Sequence, residues 1–251
     1  MRAVAPAEAE KLLDTVDRLP DGIAEGLSAP FLMCETDEWG SARHKIAVFG
    51  QETFGWDYLW ADGGLSHRLL EGLNHKDRIH ALTRTAARFD LGAAYPGTPF
   101  WRAYQLIANE LEGGDRRKIL WGNLARCDTS PNDWAGVEGR ASVWSTLSYP
   151  NLDALCDWQA DLFKAEIQRS GCKAAVFFTG PNYDYLIKRS LRDVRVEPVF
   201  PDIPEREFAR VISPVLPDIA FRLYHPGYLH RSNRWGHLRR LVEALRAAPK
   251  A

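Results

Sequence analysis

Lys45-Ile-Ala-Val-Phe49 runs into Gly50-Gln51-Glu52, and two later stretches repeat its form. These are Lys118-Ile-Leu-Trp121 before Gly122-Asn123, and Ala174-Ala-Val-Phe-Phe178 before Thr179-Gly180. Each is a short run of β-branched, aromatic or small apolar residues closed by glycine or another turn residue, which predicts a strand buried on both faces. Between them lie helical spacings at 65–89, 99–111 and 152–168, the last with Leu152, Leu155, Leu162, Phe163 and Ile167 along one side. Strand alternating with helix predicts an α/β chain: a three-layer αβα single domain with a short, mainly parallel central sheet. Residues 194–200 and 219–224 read as further strands. A closing helix is expected over 232–246, with Ser232 as its N-cap.

Upstream, Leu12, Leu13, Val16 and Leu19 recur at helical spacing, so residues 1–40 read as an N-terminal helical extension packed outside an α/β domain over 41–251. With 251 residues, 45% apolar and 26% charged, the composition is that of an ordinary globular protein. No apolar run approaches the roughly 20 residues of a membrane span, and the N-terminus lacks an apolar signal core. A cytoplasmic monomer with no membrane partner is the expectation. Cys34, Cys127, Cys156 and Cys172 form no C-x-x-C pair, and the seven histidines are irregularly spaced. Neither a metal nor another cofactor is expected.

The net charge of −1 conceals an asymmetry. Residues 1–40 carry nine acids against three bases, a net −6, so the remainder holds +5. Six arginines and three histidines between Arg222 and Arg246 face one acid, Glu243. Such a cationic end suits a phosphate-bearing ligand, and it is also what a solvated helix face looks like.

In a parallel sheet, ligands bind beyond the carboxyl ends of the strands. The unusual loops of this chain fall there: 50–56, 122–128, 180–183 and 225–230. Their order resembles the uracil-DNA glycosylase superfamily over about residues 45–245. Gly50-Gln51-Glu52-Thr53-Phe54 is similar to its water-activating loop, G-Q-D-P-Y in the best-known branch, and Ile119-Leu-Trp-Gly-Asn123 to the strand that delivers a base-reading asparagine. Val176-Phe-Phe-Thr-Gly180 resembles the core strand that follows. His225-Pro226-Gly227-Tyr228-Leu229 resembles the H-P-S-P-L loop, with its catalytic histidine and duplex wedge. Glu52 stands where the family has aspartate, Thr53 where it has proline and Phe54 where it has tyrosine.

The resemblance implies metal-free hydrolysis of the N-glycosidic bond to a flipped base in DNA. That reaction builds positive charge on the sugar and negative charge on the departing base, so it needs an anion near the first and a donor near the second. Glu52 and His225 are of those types, with Gln51 in the same loop as the third catalytic candidate, and Asp57 and Asp128 as fallback carboxylates. Asn123, with both a donor and an acceptor, would read the base edge, and Phe54 and Phe100 (or Trp101) would stack on it. Tyr228 and Leu229 would enter the duplex, and Arg231 and Arg234 would meet phosphates.

Each residue has an ordinary alternative: core packing for Phe54, Phe100 and Trp101, a strand-end cap for Asn123, a structural histidine at 225, a helix-start staple for Leu229. The partner expected is therefore DNA or a nucleobase-containing ligand. Two rivals stand beside excision: a non-catalytic nucleic-acid or nucleobase-binding module, and a hydrolase for a small non-nucleic substrate. No G-x-x-x-x-G-K-[ST], G-x-G-x-x-G, G-x-S-x-G or H-E-x-x-H occurs, which weighs against P-loop, dinucleotide, esterase and zincin chemistry.

Overall fold

The computed structural model describes residues 1–15, 18–20, 23, 27–53, 73–89, 91–93, 95–129 and 142–247. Its strands are β1 (Arg2–Ala3), β2 (Cys34–Glu35), β3 (Ile46–Gly50), β4 (Leu120–Asn123), β5 (Ala174–Phe177), β6 (Arg195–Pro198), β7 (Phe208–Ile212) and β8 (Ile219–Leu223). The helices are α1 (Pro6–Asp14), α2 (His75–Arg88), α3 (Pro99–Leu111), α4 (Val143–Thr146), α5 (Tyr149–Ser170), α6 (Asp184–Leu191), α7 (Pro226–Arg231) and α8 (Gly236–Arg246). Six strands form one sheet in the order β4-β3-β5-β8-β7-β6. The first four run parallel, while β7 is antiparallel to both β8 and β6.

Alternation along the parallel strands divides the core. Ile46, Val48 and Val176 face one side with α2, α3 and α8, whereas Ala47, Phe49 and Phe177 face the other with α5 and α6. On the second side Phe49 stacks on Phe177 at 5.1 Å between centroids, and Phe163 of α5 meets Phe49 edge-on. Leu238, Leu241, Val242 and Leu245 carry α8 onto the first side, each buried and each contributing roughly 1.5–3 kcal/mol by leaving water.

Several sequence expectations need correction. The closing helix is two helices: Pro226 starts α7 at a position where its missing N–H costs nothing, Ser232 ends it, and left-handed Asn233 (φ 56°) turns the chain toward α8. Ser232 is thus a C-terminal cap, not an N-cap. Helix α5 is longer at both ends than 152–168, from Pro150 in its first turn to left-handed Gly171 (φ 63°). Of the pattern at 65–89, the described part is α2, whose N-cap Asn74 accepts the Asp77 N–H at 3.0 Å. Strand β7, unforeseen, is a five-residue run paired on both sides. The strand read at 194–200 shortens to β6 on the sheet edge, where Pro198 is tolerated.

The described residues of the N-terminal 40 share the main core instead of lying outside it. Phe31 packs on Trp121 at 4.4 Å, Leu12 and Leu13 are buried in the same cluster, and β1 pairs with β2. Main-chain bonds run from Ser28 N to Asp128 O and from Phe31 N to Arg126 O. The Met33 N–H donates to Glu166 Oε1 at 2.7 Å, which fastens this segment to α5.

Gly92 takes φ 76°, and a Cβ built there would overlap the Trp101 indole. Gly92→Ala is expected to lower stability by about 2–3 kcal/mol, through backbone strain and overpacking together, read as a lower urea midpoint with an unchanged slope. A midpoint within error of the wild type would show that the Trp101 side accommodates the methyl.

Candidate functional site

Parallel pairing brings four strand ends to one edge of the sheet. Gly50 lies opposite Asn123, and hydrogen bonds past the ladder tie the loops together: Leu124 N to Gly50 O, Ala125 N to Gln51 O, Phe178 N to Phe49 O and Gly180 N to Leu223 O, all within 2.8–2.9 Å. Gln51 adds a side-chain strut, its Nε2 donating to Thr179 O at 2.8 Å. Gln51, Asn123, Gly180 and His225 therefore share the carboxyl edge, each at the end of its own strand. Position 50 must be glycine for this approach, because a Cβ would collide with the Asn123 amide.

His225 sits at the head of α7. Its Nδ1 accepts the Gly227 N–H at 3.1 Å, and its ring lies nearly parallel to Phe100, 6.0 Å between centroids and 19° between planes. Burial, with the Arg231 cation adding to it, pushes the imidazole down to about 4. At neutral pH the ring is uncharged, and since Nδ1 accepts, the single proton is on Nε2. Phe100 is also braced edge-on by Trp101 and Phe178.

Glu52 is held on the other side of the same edge. Tyr183 Oη donates to its Oε1 at 2.6 Å, and the Val143 N–H donates to its Oε2 at 2.8 Å. Burial raises the carboxyl above its usual range; the Ser142 and Tyr183 hydroxyls and the Val143 N–H pull it back down, and Asp128 adds to the rise. Each oxygen keeps a lone pair for a further donor such as water. Asp128, the fallback carboxylate, is buried nearby; Asp57 and Phe54 lie outside the described residues.

Other candidates are used differently from the sequence expectation. The Asn123 amide is buried with one end 3.3 Å from the main-chain carbonyls of Glu52 and Gly122, and because two carbonyls face it, that end is assigned as the donating nitrogen. Donor capacity expected to face a base thus braces the loop. Leu229 is fully buried in the core and does not project as a wedge, because the turn that exposes Tyr228 (39%) sends the next side chain inward. Tyr228 instead leans on Tyr224, 4.4 Å between centroids.

The cationic end is largely neutralised by acids distant in sequence. Arg222 is buried against Asp184, Arg234 meets Glu207 at 3.1 Å, Arg240 meets Asp202 and Arg246 meets Glu110. Two arginines have no carboxylate partner among the described residues: Arg239, exposed on α8, and Arg231, exposed beside His225.

Sequence reasoning missed Tyr183 and Ser142 as site residues. They stand 131 and 90 positions from Glu52, and no local pattern marks such a contact. Among the described residues no group of three or more His, Cys, Asp or Glu side chains could hold a metal, and the four cysteines are buried and form no disulfide. Compared with known proteins, the chain matches no family model and no curated relative.

Proposed function

We propose that this chain has a uracil-DNA glycosylase-like fold and hydrolyses the N-glycosidic bond of a base turned out of DNA, without a metal. His225 is the observation that carries the reading: a neutral imidazole with its proton on Nε2, stacked on Phe100 at the strand edge that also bears Gln51, Glu52 and Asn123. A neutral donor suits an oxygen that gains negative charge as the base leaves. Glu52 supplies the anion for the sugar cation and orients water. The water hydroxyl bonds to the anomeric carbon as the C–N bond breaks, and the water proton ends on the base. Tyr228 and Arg231, exposed beside the histidine, make the DNA contacts, the ring by stacking and the guanidinium on a phosphate.

The test is base release from oligonucleotides carrying uracil, hypoxanthine, xanthine or a mismatch, with binding followed against salt. Release of one of these bases is expected, with affinity falling as salt rises and Arg231→Ala flattening the log–log slope by about 1. Salt-independent binding would point to a small-molecule substrate. A second reading, a base-binding module without catalysis, is favoured by the engagement of both Glu52 oxygens with protein donors. Tight binding without release from any of the oligonucleotides would select it.

A further inference from the structure

We propose that Tyr183 is the positioning residue for the Glu52 carboxylate, holding it ionised and aimed, with the Ser142 hydroxyl supporting it; this rests on the reading of Glu52 as the reactive anion. Tyr183 has one hydroxyl proton, and the 2.6 Å bond to Glu52 Oε1 uses it. Ser142 Oγ lies 3.1 Å from Tyr183 Oη and accepts the Trp144 N–H at 3.1 Å, and its hydroxyl also favours the ionised Glu52 carboxylate. Both hydroxyls thus gather at the carboxylate, with Tyr183 making the short bond to it, and such bonds are strengthened when the acceptor is an anion.

Tyr183 is suited to the task by rigidity. Its ring is buried, lies 5.9 Å from that of Trp144, and follows the loop at Gly180, whose φ of 71° sets the turn out of β5. Among the described residues, the titratable groups facing Glu52 are Tyr183 and Asp128. Asp128 opposes ionisation, as does burial, so the anion depends on its hydrogen bonds. Tyr183 itself keeps its proton, its hydroxyl raised by burial and by the carboxylate beside it.

The experiment follows Glu52 in the free protein by the carboxyl-carbon NMR signal of glutamate-labelled samples, assigned by its absence in Glu52→Gln. Tyr183→Phe, which preserves the ring, should move the titration midpoint up by about 1 in pH, tenfold in the protonation equilibrium, and Ser142→Ala should move it in the same direction. The acid limb of base release should move up with it, and the rate should recover at pH above the new midpoint. An unchanged midpoint in Tyr183→Phe, or a release rate lost equally at every pH, overturns the assignment. A moved midpoint in a protein that releases no base supports the contact and sinks only the excision chemistry.

Discussion

Glu166→Ala is expected to lower the unfolding free energy by about 3–5 kcal/mol at pH 8, the range for removing one partner of a buried ion pair. Arg126 and Glu166 are 0% and 1% exposed, and they meet in an ion pair under the sheet. The guanidinium also lies 4.9 Å from the centre of the Phe163 ring. Truncating the glutamate strands that cation in an apolar core and leaves the Met33 N–H without its acceptor, so two penalties fall together. Glu166→Gln retains a carbonyl for Met33 and should cost less. Chemical unfolding monitored by tryptophan fluorescence measures both, and an alanine variant within 1 kcal/mol of wild type would show that the pair is not structural.

The same pair sets a pH dependence. Burial pushes the Glu166 carboxyl up to about 7, against the opposing pull of Arg126. A folded-state value above the unfolded one means that the folded chain binds the proton more tightly. The contribution is therefore complete below about pH 4.5 and is lost as pH rises through about 7, a decline absent from Glu166→Gln.

On the proposed excision chemistry, Glu52→Gln and His225→Ala are each expected to lower the rate of base release by about 100-fold or more, with weaker effects on oligonucleotide binding. The anion and the donor act on charge that exists mainly in the transition state, so their loss falls on turnover. Gln keeps the size of Glu52 and can still accept from Tyr183, which isolates the charge. His225 titrates near 4, so the wild-type rate should show no histidine limb between pH 5.5 and 8. Release that survives Glu52→Gln and falls in Asp128→Asn would transfer the anion's role to Asp128.

How much of this protein could be read without coordinates follows from the reach of each interaction. Buried parallel strands are marked locally, because both faces of 45–49 and 174–178 must be apolar, and their glycine exits are marked by the turn chemistry that follows. The α/β alternation, helix 99–111 and the gathering of Gln51, Asn123 and His225 at one edge were therefore legible. Strand β7 was not, since its five residues carry no periodic signal distinct from a loop.

Tertiary structure alone decided what the side chains at that edge do. Whether Asn123 faces a ligand or the Glu52 carbonyl depends on how closely β3 and β4 approach at Gly50. The inward turn of Leu229 beside an exposed Tyr228 depends on where α7 stops. Arginines that look like a cationic surface in the sequence become ion pairs when Asp184, Asp202, Glu207 and Glu110 fold against them. Strand and turn propensities act over a few neighbouring residues and leave a mark in the sequence. A hydrogen bond such as that between Tyr183 and Glu52 forms between groups 131 residues apart, and only the packing of the whole chain brings them together.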